Sequence, residues 1–125
     1  MLLAADDFQG EEVWGVSLNS VVQIDICIVT CSCFAPTPSL AAMLVHKFRM
    51  KDSVLTYNLS GQGCASSLVS VDMAGHLLKA LPNKLALVVN HENITQNWYA
   101  GENKSMLICN CLFRVGGAAA LLSNR

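Results

Sequence analysis

Residues 24–34, IDICIVTCSCF, limit what this chain can fold into more than any other stretch. A strand built from them carries apolar side chains on both faces, and strands covered on both faces are the signature of a buried parallel sheet. Residues 35–39, Ala-Pro-Thr-Pro-Ser, end the run, because proline gives no ladder donor and restrains the residue before it. Ser39 is placed to cap a helix over 40–50, with Leu40, Met43, Leu44 and Lys47 at helical spacing. Residues 54–59 (VLTYNL) read as a second strand and 85–90 (LALVVN) as a third, buried one. Between them a helix runs from about 64 to 81 and stops at Pro82-Asn83. Leu68, Val71, Gly75 and Leu78 share one of its faces, widened by Val69, Met73 and Leu77. Residues 93–111 are mixed and receive no element; Gly116-Gly117 precede a last strand over 118–123. The alternation of strands and helices implies parallel pairing through right-handed crossovers, an α/β fold with a mostly parallel sheet and crossover helices.

Of the 125 residues, 53% are hydrophobic and only 14% charged. A self-sufficient small domain usually carries nearer a quarter charged residues. Either a membrane or another part of a larger protein is therefore expected to cover apolar surface. No stretch approaches the roughly 18 uninterrupted apolar residues of a membrane span, since Asp25 and the polar cluster at 30–39 interrupt the longest run. The first residues lack a basic segment and carry Asp6, Asp7, Glu11 and Glu12, unlike a signal peptide. The expectation is a part of a larger domain. Net charge is −1 with no basic cluster, so nucleic-acid binding has no electrostatic support. Six cysteines without secretory features point to free thiols in a reducing compartment.

Residues 58–64, Asn-Leu-Ser-Gly-Gln-Gly-Cys, put Cys64 at a glycine-hinged turn between the second strand and the long helix. A thiol at a helix amino terminus meets the partial positive charge of unpaired N–H groups, which favours the reactive thiolate. Gly61, Gly63, Ala65, Ser66 and Ser67 keep bulk away from it. The alternative is a buried structural cysteine in a tight turn. His91 follows the third strand, on the same sheet edge, where it is a possible base for Cys64 in a cysteine hydrolase; an ordinary loop histidine is the plainer reading. His46 and His76 are expected to face solvent. Cys31-x-Cys33 and Cys109-x-Cys111 have one intervening residue where structural zinc sites use two to four, so no metal is assigned. Cys27, Cys31 and Cys33 share one strand face, which suits core packing. Gly61-x-Gly63 lacks the rest of a dinucleotide fingerprint. Asn58, Asn93 and Asn103 match the glycosylation pattern only by chance if no signal peptide exists. Trp98-Tyr99 is either an acyl-pocket lining or, more plainly, core.

Taken together, "CSCFAPTPSLAAMLVHKFRM", "YNLSGQGCASSLVSVDMAGHLL" and "LALVVNHENITQNWYAGENKSMLICNCLFRVGGAAALLSNR" resemble plant 3-ketoacyl-CoA synthases. These are the condensing enzymes of very-long-chain fatty acid elongation, relatives of the type III polyketide synthases. The resemblance covers residues 22–125, while 1–21 form a poorly patterned segment. It implies a thiolase-like fold of two similar α/β halves, usually in a homodimer, of which this chain resembles the later part of the first half. It also implies that Cys64 accepts the acyl group from an acyl-CoA as a thioester. Malonyl-CoA then loses carbon dioxide, and its carbanion attacks the acyl group to give a very-long-chain 3-oxoacyl-CoA. Phe113 matches a phenylalanine that borders the entry of the CoA-linked substrate, and residues 35–39 match a region near the dimer interface. No cofactor or metal is implied beyond the two CoA substrates.

The resemblance further implies endoplasmic reticulum membrane localisation, although this chain shows no span and is expected to be cytosolic if it stands alone. The family's decarboxylating histidine and asparagine lie in the second half, and none of His46, His76 and His91 matches that histidine. The usual Gly-Met-Gly-Cys-Ser-Ala-Gly loop reads Gly-Gln-Gly-Cys-Ala-Ser-Ser here, with Ser67 in place of a glycine. The expectation for the chain alone is a poor or inactive condensing enzyme, since such groups are worth orders of magnitude in rate. Alternatives are a type III polyketide synthase-like acyltransferase, and an inactive remnant that binds a full-length synthase through the dimer surface, as a homodimer or heterodimer partner.

Overall fold

In a computed structural model, residues 23–125 are described in full, and before them the backbone of three two-residue strands. These are β1 (Leu3–Ala4), β2 (Glu12–Val13) and β3 (Val16–Ser17). The expectation for 1–21 otherwise lies outside the described residues.

Strand β4 (Ile26–Thr30) is buried along its whole length. Strands β5 (Leu55–Leu59) and β6 (Leu85–Glu92) flank it and run parallel to it, with Ile28 opposite both Tyr57 and Val88. The expected crossovers are present: α1 (Leu40–Lys47) joins β4 to β5, and α2 (Ser66–Ala80) joins β5 to β6. Ser39 caps α1, its hydroxyl accepting the Ala42 N–H at 3.0 Å. Strand β7 (Gly116–Ser123) returns antiparallel beside β6, and β1 pairs antiparallel with β7, giving the order β1-β7-β6-β4-β5. The antiparallel return has a local cause. The segment before β7 folds as a 3₁₀ turn at Thr95–Asn97 and as α3 (Lys104–Leu112), and α3 is not packed along the sheet as α1 and α2 are.

Strand alternation divides the core in two. Cys27, Val29, Leu87, Val89 and Ala119 face α1 with Ala41 and Met50; Ile26, Ile28, Ala86 and Val88 face α2 with Ala74 and Leu78. Burial pushes the Cys27 thiol up to about 11.

The face of α2 differs from the expectation. Leu68 is 75% and Val71 42% exposed, while Ser66, Ser70, Ala74 and Leu78 are buried at intervals of four. Two of these are serines, invisible to a search for apolar residues. Their hydroxyls are satisfied within the turn of helix, Ser66 to the Gly63 carbonyl and Ser70 to the Ser67 carbonyl, both at 2.8 Å. Small side chains then let the helix backbone approach the sheet closely, and bulkier residues are turned outward. Exposed apolar residues on α3, among them Met106, Ile108 and Leu112, extend the uncovered surface.

At the amino-terminal ends of the strands, Asp25 forms a charged clamp. Its carboxylate lies 2.6 Å from Lys51 Nζ, 3.2 Å from Lys84 Nζ and 2.9 Å from an Arg125 guanidinium nitrogen, and it accepts the Leu85 N–H at 2.8 Å. Burial alone would raise its pKa. The Lys51, Leu85 and Lys84 hydrogen bonds outweigh burial and hold the carboxyl far below the usual carboxylate range.

Candidate active site

The site lies at the other edge, where β4, β5 and β6 end side by side. Beyond β5 the chain turns through Gly61 (φ 75°) and Gly63 (φ 60°), left-handed conformations that a residue with a Cβ adopts only under strain. Open space surrounds both, so the dihedral rather than crowding is what calls for glycine there. The turn leads into a 3₁₀ segment, Gly63–Ala65, whose middle residue is Cys64, and α2 follows at Ser66. The helix thus begins two residues later than expected, with Cys64 just ahead of its first turn and exposed to solvent.

Two hollows meet at Cys64. The larger, about 420 Å³, runs from Cys64 past Cys33 and Glu92 to an apolar wall of Ile94, Trp98, Leu112 and Phe113. Phe113 is 56% exposed and Trp98 64% exposed. Trp98 therefore lies on the wall of this hollow and not in the core, whereas Tyr99 is half-buried. Asn110 fixes this wall, donating to the Tyr99 carbonyl at 2.9 Å and accepting the Tyr99 N–H at 3.1 Å. The smaller hollow, about 270 Å³, lies between Cys64, Asn90, His91 and Gly116–Ala118.

His91 is inside β6 and not after it. It shares the smaller hollow with Cys64, but alternation turns Asn90 and Glu92 towards the α2 side and His91 towards the α1 side. Among the described residues no hydrogen bond joins His91 to Cys64, and the hydrolase dyad gains no geometric support. His46 and His76 are exposed, as expected. Cys31 is buried, whereas Cys33 lies past the end of β4 and faces the larger hollow; the strand is shorter than the apolar run suggested. No group of three His, Cys, Asp or Glu among the described residues could hold a metal ion. No helix among them is long and apolar enough to cross a membrane.

Two residues that sequence reasoning passed over organise the site. The Glu92 carboxylate accepts the N–H of Ser32 at 2.7 Å and of Cys33 at 3.3 Å, and the Cys31 thiol lies 3.7 Å away. Partial burial pushes its pKa up, but these donors push harder and lower it, so Glu92 stays ionised. Asn90 Oδ1 accepts the Thr30 hydroxyl at 3.1 Å and sits 3.1 Å from the Ser70 hydroxyl, tying together β4, β6 and α2, the helix that follows Cys64. Polar residues at the end of an otherwise apolar strand run, as in Val-Val-Asn-His-Glu, were the available signal.

A sequence model of FAE1/Type III polyketide synthase-like proteins matches residues 15–125. In Arabidopsis thaliana, 3-ketoacyl-CoA synthase 2 is 58% identical over 102 residues, 82% of this chain and 19% of its own length. From the same plant, 3-ketoacyl-CoA synthase 11 is 55% identical over 102 residues, 82% of this chain and 20% of its own. Among solved structures, 1,3,6,8-tetrahydroxynaphthalene synthase of Streptomyces coelicolor, a bacterial type III polyketide synthase, aligns with a TM-score of 0.73 at 27% identity, covering 82% of this chain and 30% of its own. PKS-I of the brown alga Ectocarpus siliculosus aligns with a TM-score of 0.75 at 26% identity, covering 82% and 27%. Fold and likeness together define the class by its architecture, the thiolase-like α/β sheet of the type III polyketide synthases. The chain belongs to the FAE1/type III polyketide synthase-like family. It spans about a fifth of the length of the curated relatives it matches.

Proposed function

We propose that this chain carries the acyl-accepting segment of a very-long-chain 3-oxoacyl-CoA synthase, the later part of its first half, with Cys64 as nucleophile. The observation that carries this is the setting of Cys64: an exposed thiol on a two-glycine turn, ahead of a helix, opening into an apolar-walled hollow. The Cys64 sulfur attacks the thioester carbonyl of a long-chain acyl-CoA, and coenzyme A leaves as its thiol. Phe113, on the wall of the same hollow, borders the path of the CoA-linked substrate, and the acyl chain runs against Trp98, Leu112 and Ile94. The decarboxylation of malonyl-CoA and the attack of its carbanion call, by family resemblance, on a histidine and an asparagine of the second half. Acylation without condensation is accordingly the activity proposed for residues 1–125 alone. Under the same reading the full reaction runs at the endoplasmic reticulum membrane, in a dimer.

The test is incubation with radiolabelled long-chain acyl-CoA, followed by peptide mapping. Label on the Cys64 peptide, abolished in Cys64→Ala, supports the reading; label elsewhere or none overturns it. A second reading, a binder of a full-length synthase, draws on the exposed apolar residues of α2 and α3. Its test is co-purification with such a synthase, weakened by Leu68→Glu.

A further inference from the structure

Cys33, Cys64 and Cys109 all line the larger hollow, and all three are exposed and unbridged. Cys27 is buried in the core, and Cys31 is buried with its thiol directed at Glu92. Among the described residues the sulfurs of Cys33, Cys64 and Cys109 make no hydrogen bond. Three unengaged thiols in one hollow are more than the transfer of one acyl group needs.

Cys33 is the one tied most directly to Cys64. Ser32 Oγ donates to the Gly63 carbonyl at 3.4 Å, so the residues immediately before the two cysteines are in contact. The Cys33 backbone is held on both sides, its N–H by Glu92 at 3.3 Å and its carbonyl by the Gln96 amide. Cys109 instead belongs to α3, which is joined to its surroundings through the Asn110–Tyr99 pair. A disulfide needs Cα atoms within about 7 Å of one another. The contact of Ser32 Oγ with the Gly63 carbonyl brings the two cysteine-bearing segments together.

The geometry points to a reversible disulfide between Cys64 and Cys33, formed by a hydroperoxide and reopened by a thiol reductant. In the first step the deprotonated Cys64 sulfur attacks a peroxide oxygen. An S–O bond forms, the O–O bond breaks, and hydroxide leaves and takes up the thiol proton as water. In the second step the Cys33 sulfur attacks the Cys64 sulfur. The S–S bond forms, the S–O bond breaks, and the oxygen departs as water with the Cys33 proton. Two thiols are oxidised and one hydrogen peroxide is reduced to two waters. Reduction by a dithiol reverses the change. The bridge ties up the Cys64 sulfur and protects it from irreversible oxidation. It goes beyond the acyl-transfer reading and does not rest on it.

The experiment takes the full chain, reduced with dithiothreitol, then treated with stoichiometric hydrogen peroxide and mapped without reduction. The expected result is a linked Cys33–Cys64 peptide that disappears on reduction and persists in Cys109→Ser. In Cys33→Ser, Cys64 is instead trapped as a dimedone adduct of its sulfenic acid. Overoxidised Cys64 with no linked peptide, or a Cys64–Cys109 link in its place, overturns the inference. Acyl-CoA labelling of the reduced chain separates the two readings. A bridge without labelling sinks the acyl-transfer proposal alone, and labelling without a bridge sinks this one alone.

Discussion

The Glu92 carboxylate receives the Ser32 N–H at 2.7 Å across sixty residues of chain, and this contact joins the carboxyl ends of β6 and β4. It fixes the loop that carries Cys33 into the hollow at Cys64. At the opposite ends of the same strands Asp25 performs the matching task through Lys51, Lys84, Arg125 and the Leu85 N–H. The parallel strands are therefore pinned at both ends by a buried or half-buried carboxylate, one bound to cations and the other to backbone donors.

Replacing Glu92 tests the second clamp. In Glu92→Gln one amide oxygen must accept what two carboxylate oxygens accepted, and the amide nitrogen meets N–H groups. Chemical unfolding at neutral pH is expected to show a loss of about 1–3 kcal/mol. Since the folded carboxyl has a lowered pKa, its contribution is present above the unfolded value of about 4.3 and fades as pH falls through the folded one. The gap between parent and variant should close in acid. A gap independent of pH would show that the charge is not its source.

Gly63→Ala addresses the turn. The added methyl meets open space, yet φ is 60°, so the effect is conformational strain of about 1–2 kcal/mol. Because Cys64 follows directly, the same change should slow its alkylation. Unaltered stability together with unaltered labelling would mean that the turn does not depend on glycine.

The core strands and both crossover helices were legible because they rest on long apolar runs and on proline, serine and glycine punctuation. The position of Cys64 was legible for the same reason, since two glycines mark the turn between a strand and a helix on which it sits. What stayed hidden depends on contacts distant in sequence. Ser66 and Ser70 look like solvent-facing positions until their hydroxyls find backbone carbonyls, so apolar spacing puts Leu68, Val71 and Gly75 beside Leu78 on one face of α2, of which only Leu78 is buried. The role of Glu92 needs Ser32 and Cys33, which only the parallel pairing of β4 and β6 brings near. α3 carries apolar residues around its surface without a stripe, and its one local signal was Asn103, whose side chain caps it by accepting the Ser105 N–H at 3.0 Å.

Cysteine labelling under native conditions reads the site directly. Cys33, Cys64, Cys109 and Cys111 are exposed, and Cys27 and Cys31 are buried. Iodoacetamide at neutral pH should modify the first four and spare the last two until the chain unfolds. Cys64 should react first, because its turn is clear of bulk and it precedes the amino terminus of α2. Time-resolved peptide mass spectrometry with another cysteine ahead of Cys64 would contradict the assignment of the nucleophile.

Asp25 sets the acid limit of the fold. Its side chain is 8% exposed, and the three cations around it are between 32% and 38% exposed. Removing its charge in Asp25→Asn leaves those cations facing one another without a counter-ion. Breaking a buried pair costs about 3–5 kcal/mol, and partial solvation of the cations keeps this case near the lower figure. The folded pKa is depressed, so the stabilisation is whole above the unfolded value of about 3.9 and is lost as pH falls through the folded one. The parent should lose stability on acidification below pH 4, while Asp25→Asn, already weakened at neutral pH, should lose less over that range. Salt discriminates further: added sodium chloride should weaken the parent only slightly, since the pair is mostly shielded from solvent, and should strengthen the variant by screening its unpaired cations. Equal acid and salt responses in both proteins would place the clamp elsewhere.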